Sequence, residues 1–333
     1  MSTLKKIAQE SGFSSSTVSI VLSGKGEERK ISQETQAKIF ETASRLGYRV
    51  NVAARKLRAN QLSGVTVSVF IVPDQRASMM LRFLLSLHNS AAAYDQRFDF
   101  AVHFYRSGSL HSFAESILHT HCAIICNASE ADLRFLDEAQ FHHPIVLYNR
   151  ASEKYCTVSM DMRHIGETVA GIFARRGHKH AVLMDTEVAY YAALRQLNLQ
   201  FEEIARHHGM EVSHVHEPYG IRGGYNGGIA ISWMRPRPDC VFTMSSLLAM
   251  GALRAFEEQG IKVPGQLELI SLGTDDPDFD EYASVSISTI HIPIDDMARE
   301  CIRLLLLQLD GKIITPQAVA LPVVYTARES CGG

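Results

Sequence analysis

Seven short apolar runs constrain this chain more than any other feature. From Val65 onward they read VTVSVFIV, FDFAVHFY, CAIIC, PIVLYN, HAVLM, CVFTM and LELISLG. Each has strand length, and longer stretches with helical spacing separate them, among them residues 161–176, 189–208 and 246–259. Strands that are apolar throughout and alternate with helices make parallel sheets covered on both faces. Seven such strands exceed one comfortable sheet. The expected body is therefore α/β, with two open sheets facing a cleft.

The first sixty residues follow a different pattern. They hold eleven lysines and arginines against five glutamates, a net +6, so the rest of the chain carries −9 of the total of −3. A small basic head on an acidic body suits a head that meets a polyanion. Short helices fit this head. Thr3 can cap one carrying Leu4, Ile7 and Ala8 on one face, and Gly12 breaks it. Ser14 can cap a second, SSTVSIVLS, in which Val18, Val21 and Leu22 share one face while Ser15, Ser16, Ser19 and Ile20 share the other. A third follows Ser32, with Ile39, Phe40, Ala43 and Leu46 inward and Gly47 as its stop. Two helices joined by a tight turn make a helix-turn-helix, which places its second helix in the DNA major groove.

The segments TLKKIAQESGFSSSTVSIVLSGKG, LGYRVN and AARKL resemble the head of the lac-repressor (LacI/GalR) family of bacterial transcription regulators. The resemblance implies a helix-turn-helix DNA-binding domain over residues 1–50 and a hinge helix and linker over 51–62. A two-lobed, periplasmic-binding-protein-like body for effector binding and dimerisation would occupy 63–330. Thr3, Lys5, Ser15, Ser16, Thr17, Ser19 and Ile20 would then face DNA, joined by Asn51, Ala54, Arg55, Leu57 and Arg58 of the hinge. Leu57 matches the family leucine that wedges into the minor groove and kinks the duplex. Arg55, Lys56 and Arg58 would hold phosphates. Two positions depart from the pattern. Ile20 stands where the family usually has arginine, and Val50 where it has proline. Ile20 cannot form the bidentate contact to guanine and can only press on an apolar surface such as a thymine methyl. The loop SGKGEERKIS is longer than the common family form, and its Lys25, Arg29 and Lys30 either touch the DNA backbone or are solvated.

The resemblance also implies a ligand between the lobes, with the chain crossing from lobe to lobe near Asp161, His291 and Pro316. Asp161 and Asp275 match family acids there. Asn149 stands where an acid is common, Ser245 where the family has Asn-Asp, and Arg195 two residues from an expected arginine that is Leu197. Each of these is a candidate effector contact, and each has an alternative as a helix cap or turn residue.

Other chemistries fit less well. His121, Cys122 and Cys126 fall in or beside a buried strand, where alternation sends both cysteines to one face as core residues; a tetrahedral zinc site needs four converging ligands. GIRGGYNGG lacks the Lys and Ser/Thr of a phosphate loop. No nucleophile elbow or Cys/His dyad emerges, and neither a cofactor nor a metal is expected. Six irregularly spaced cysteines fit reduced thiols, no apolar run approaches the ~20 residues of a membrane span, and the N-terminus lacks a signal-peptide core. The expected setting is the bacterial cytoplasm, at the nucleoid, with no membrane contact. The expected function is a homodimeric, non-enzymatic transcription regulator, a repressor, that binds a double-stranded operator under control of a sugar or similar polar metabolite. The alternative is a small-molecule binding protein or enzyme that has kept a non-functional head. No leucine heptad points to a tetramerisation helix.

Overall fold

The computed structural model describes residues 4–22, 29–46, 64–73, 77–139, 141, 143–186, 192–274, 276–313 and 315–332. Among the described residues the head forms helices α1 (Leu4–Ser11), α2 (Ser15–Val21) and α3 (Gln33–Arg45). Gly12 turns the chain at φ 78°, a left-handed conformation that costs glycine little. Ser14 then caps α2, its Oγ accepting the Thr17 N–H at 3.0 Å. Ser32 opens α3 in the same way, accepting the Thr35 N–H at 3.2 Å. Ile7, Val18, Val21 and Ile39 are fully buried in the head core. Phe40 does not join them and is 46% exposed. Ile39 and Ala43, four residues apart, take the inner face of α3, and Phe40 sits about 100° round the helix from Ile39.

The body begins with β1 (Val65–Ile71), α4 (Ala77–Ala91) and β2 (Phe98–Phe104). A 3₁₀ turn at Leu110–Phe113 leads into α5 (Ala114–His119), β3 (Cys122–Cys126), α6 (Glu130–Glu138), β4 (Ile145–Tyr148) and β5 (Cys156–Met160). Then come α7 (Met162–Arg175), β6 (His180–Asp185), α8 (Ala192–His207), β7 (Glu211–His216) and α9 (Ile221–Ser232). The chain continues through β8 (Cys240–Thr243), α10 (Ser246–Glu258), β9 (Glu268–Gly273), the short α11 (Pro277–Glu281) and β10 (Ser288–His291). It closes with α12 (Ile294–Leu309), β11 (Ala318–Leu321) and β12 (Val324–Thr326).

Two six-stranded sheets result, ordered β11-β5-β4-β3-β1-β2 and β12-β10-β9-β8-β6-β7. All neighbours are parallel except β12, which runs antiparallel to β10. The α/β body of two parallel sheets is as the apolar runs require. The chain changes sheet at Asp161, at residues 292–293 and at residues 322–323. The last change comes later than the crossing expected near Pro316, because β11 first pairs with β5 through Ala318 to Leu321.

One apolar cluster runs through both lobes, from Phe83 and Tyr148 in the first to Phe201 and Phe242 in the second. Cys122 and Cys126 both belong to it, while Ala123 and Ile125 turn to a separate cluster on the other face of the sheet. In the second lobe α9 and α10 meet backbone to backbone. A Cβ on Gly224 would lie 2.1 Å from the Leu248 carbonyl oxygen, and one on Gly251 2.0 Å from that of Ile221. Gly224 and Gly228 of GIRGGYNGG thus serve the packing of α9 on α10, Gly228 against Ala252 and Ala255.

Candidate functional site

The side of the head expected to face DNA is built by α2. Ser15, Ser16 and Ser19 are exposed, and Thr17 is half-buried with its Oγ1 2.8 Å from Ser14 Oγ. Ile20 is half-buried, and Val18, Val21 and Leu22 anchor the opposite face. The arrangement leaves short hydroxyls free to meet phosphates and base edges along one side of a rigid helix. Lys5 lies on α1. Thr3, the hinge residues Asn51, Ala54, Arg55, Leu57 and Arg58, and Asp275 of the body lie outside the described residues.

In the body, the carboxyl ends of parallel strands are where open α/β sheets bind ligands. Those of the first sheet carry a group of buried, unsatisfied polar atoms. Asn127 follows β3 and Asn149 follows β4, with left-handed φ of 51° and 57°. Asn127 Nδ2 and Asn149 Oδ1 are buried with no hydrogen-bond partner. Arg150 comes next; its side chain is 8% exposed, and its Nη1 lies 4.0 Å from Glu130 Oε1. Arg150 Nε is also buried without a partner, as is the Tyr105 hydroxyl just beyond β2. Burial pushes the Arg150 pKa down, against the opposing pull of Glu130, Tyr105 and Asp132. Burial first, then the charge of Asp132, push the Tyr105 pKa up. Asp132 itself is fully engaged, accepting from the backbone N–H groups of Gly108, Leu110 and Ser129 at 2.9–3.0 Å and from Ser129 Oγ at 2.6 Å.

The lobe junction and second sheet supply the rest. Asp161 caps α7, its Oδ1 accepting the His164 N–H at 2.9 Å. Ser245 caps α10 by accepting the Leu248 N–H at 3.1 Å, and Ser246 Oγ beside it is buried without a partner. Asp185 ends β6 and is 2% exposed, taking hydrogen bonds from Asn198 Nδ2 and His216 Nδ1. Burial raises its pKa, and His216 and Asn198 partly offset this. Arg195 projects from α8 into solvent, whereas Leu197 is fully buried. Sequence reasoning singled out Asn149, Asp161 and Ser245 but passed over Tyr105, Asn127, Arg150, Asp185 and Ser246. Four of these five directly follow or end an apolar run that was read as a strand, which is the signal that locates them.

His121, considered beside the two cysteines as a metal ligand, accepts the Thr66 N–H on Nδ1 at 2.9 Å. Among the described residues no three His, Cys, Asp or Glu side chains converge on a metal position. Among them also, no helix is long and apolar enough to cross a membrane.

Comparison with known proteins agrees with both halves of the architecture. Residues 3–51 match the family described as bacterial regulatory proteins, lacI family. Residues 155–331, more than half the chain, match a periplasmic binding protein-like domain. The regulator AscG of Escherichia coli is 24% identical over 95% of this chain and 94% of its own length. The regulator CelR of Thermobifida fusca is 26% identical over 98% of each. Among solved structures, a LacI family regulator from Clostridium acetobutylicum superposes with a TM-score of 0.75 at 25% identity, covering 79% of this chain and 99% of its own. A complex of the regulator CelR with cellobiose gives 0.68 at 21% identity, covering 99% and 100%. With its helix-turn-helix head and its two-lobed body, the chain belongs to the lacI family of bacterial regulatory proteins and is a DNA-binding transcription regulator.

Proposed function

We propose that the protein is a homodimeric repressor, working in the cytoplasm at the nucleoid, whose grip on its operator is set by a small polar metabolite held between the lobes. The observation that carries the effector reading is the row of unpartnered buried polar atoms at the strand ends, Asn127 Nδ2, Asn149 Oδ1, Arg150 Nε and Ser246 Oγ. Buried polar groups are ordinarily paired, and a group of orphans at strand ends is where a ligand completes the hydrogen bonding. The relatives support a sugar-like ligand: CelR has been solved with cellobiose, and a LacI family regulator from Enterococcus faecium with ribose.

Dimerisation follows from the DNA side, since one short head contacts too little DNA for tight specific binding. Exposed apolar side chains support a second copy as the occupant of one flank. Leu81 and Leu85 stand out from α4, and Val102 and Phe104 from edge strand β2. Ile221 and Tyr282 do the same in the second lobe. Contiguous apolar surface marks interfaces, and Leu81 and Leu85, four residues apart on α4, share one exposed helix face. An effector then acts only as far as it binds the DNA-holding and DNA-releasing conformations unequally. The regulators among its relatives favour this role over catalysis.

The test is selection of binding sites from random duplex DNA by the full chain, followed by mobility shift at fixed salt. A pseudo-palindromic site, bound by a dimer and lost when residues 1–60 are removed, is the expected result. Specific binding retained by the shortened protein would sink the reading.

A further inference from the structure

We propose that the metabolite in this cleft carries an anionic group, a carboxylate or a phosphate, that seats on Arg150. The proposal rests on the effector reading and adds the charge of the ligand. Its basis is an imbalance of donors and acceptors. At the carboxyl edge of the first sheet, three buried donors lack a partner: Arg150 Nε, the Tyr105 hydroxyl and Asn127 Nδ2. One buried acceptor, Asn149 Oδ1, lacks one as well. A ligand complementary to this edge must be rich in acceptors.

The charge balance points the same way. The Arg150 side chain is 8% exposed, and the carboxylate that pairs with it among the described residues, on Glu130, sits at 4.0 Å with its side chain 71% exposed. That contact is too long and too wet to be a charge-assisted hydrogen bond. Asp132, the next acid, is occupied by four donors of its own. Across the cleft, Asp185 is taken up by His216 and Asn198, and Asp161 by the cap of α7. A buried cation without a hydrogen-bonded anion is costly to hold. The planar fork of a guanidinium is matched to carboxylate and phosphate, and the neighbouring tyrosine hydroxyl and asparagine amide add donors for the remaining oxygens. Asn149 Oδ1 is left to accept from a ligand hydroxyl, so the structure assigns an anionic polyol, such as a sugar acid or a sugar phosphate.

The experiment uses the full chain and two simple probes, inorganic phosphate and acetate, against chloride at equal ionic strength. Thermal unfolding of the wild type should shift up by roughly 2–4 °C with one of the two anions beyond chloride; which one responds separates phosphate from carboxylate. Arg150→Gln should abolish the shift, Arg150→Lys should keep part of it, and Tyr105→Phe should reduce it without lowering the unliganded midpoint. No shift beyond chloride, or an equal shift in the folded Gln variant, overturns the proposal. A second arm measures operator release. A neutral sugar that releases operator equally from wild type and Arg150→Gln overturns the anionic assignment while leaving the effector reading intact. Protection by phosphate or acetate that depends on Arg150, with no sugar, sugar acid or sugar phosphate altering operator affinity, upholds the anion site and refutes the effector reading.

Discussion

Asn127 and Asn149 end neighbouring parallel strands in matched conformations. Their strands pair Cys126 with Tyr148, both asparagines are left-handed, and each keeps one buried amide atom without a partner. Their backbones are tied into the sheet: Asn127 N–H donates to the Tyr148 carbonyl at 3.0 Å and Asn149 N–H to that of Val158 at 2.8 Å. The pair is therefore a fixed rim presenting two side chains that the protein itself does not satisfy.

The two demands on Asn149, backbone and side chain, separate by substitution. Asn149→Gly accepts the positive φ without penalty, so stability should stay within ~0.5 kcal/mol of wild type while effector response is lost. Asn149→Ala should lose the same response and in addition ~1–2 kcal/mol of stability, because Cβ disfavours the left-handed region. Urea unfolding and operator-release titration measure the two effects. Equal stability of the Gly and Ala variants would argue that the backbone conformation carries no strain.

A second prediction concerns pH. Glu268 is buried at the start of β9, where burial pushes its pKa up. Hydrogen bonds from Arg176, His178 and Cys331 outweigh this and hold the carboxyl below its usual range. Arg176 Nε and Nη2 lie 2.6–2.8 Å from the carboxylate and His178 Nε2 lies at 2.7 Å. Because the folded-state pKa is depressed, the stabilisation is complete above the ordinary glutamate pKa and is lost as pH falls through the lower folded value. Glu268→Gln should cost about 2 kcal/mol at neutral pH. This is less than for a fully buried pair, because the Arg176 side chain is 40% exposed and screened by solvent. The difference from wild type should shrink below about pH 4. A gap that stays constant down to pH 3 would refute the linkage.

The contact between α9 and α10 gives a third. Gly224→Ala and Gly251→Ala each drive a methyl to within about 2 Å of a backbone carbonyl on the facing helix, and backbone cannot swing aside as a side chain can. Each substitution should cost ~3 kcal/mol or more and lower the unfolding midpoint of the body. Gly265→Ala is the control, since its Cβ would meet Lys262 Cβ at an ordinary 3.6 Å. Loss of the same size in the control would show that the close approach is not the cause.

Legibility in the sequence followed burial. All seven apolar runs are strands, six of them buried, such as CAIIC and CVFTM, while the seventh, FDFAVHF, is the half-exposed edge strand β2. Shorter or more polar strands are not announced in this way. β7 reads EVSHVH and β11 has two exposed alanines, so each lacks the run that a doubly covered strand must have. The missed crossing at residues 322–323 follows directly from the missed β11. Phe40 was misplaced because helical spacing allows either Ile39 or Phe40 to lead the inner face, and packing against Ile7 and Val18 selects Ile39. Arg150 was passed over because a sequence reports neither the depth of a side chain nor the absence of its partner. Those two facts are what make it notable.

The recognition helix supplies the last prediction. Ser15, Ser16 and Ser19 are exposed on α2 while Ile20, one residue further, is half-buried, so its side chain lies at the border between the helix face and the head core. It can offer a thymine methyl an apolar contact but cannot donate to guanine O6 and N7. Sites selected by the wild type should therefore carry an A·T pair opposite this residue in each half-site. Ile20→Arg should shift the preference at that pair to G·C, with discrimination of about 1–3 kcal/mol, and leave the other selected positions unchanged. Unchanged preference in the arginine variant, or an invariant G·C pair facing Ile20 in the wild type, would show that this position does not read the base.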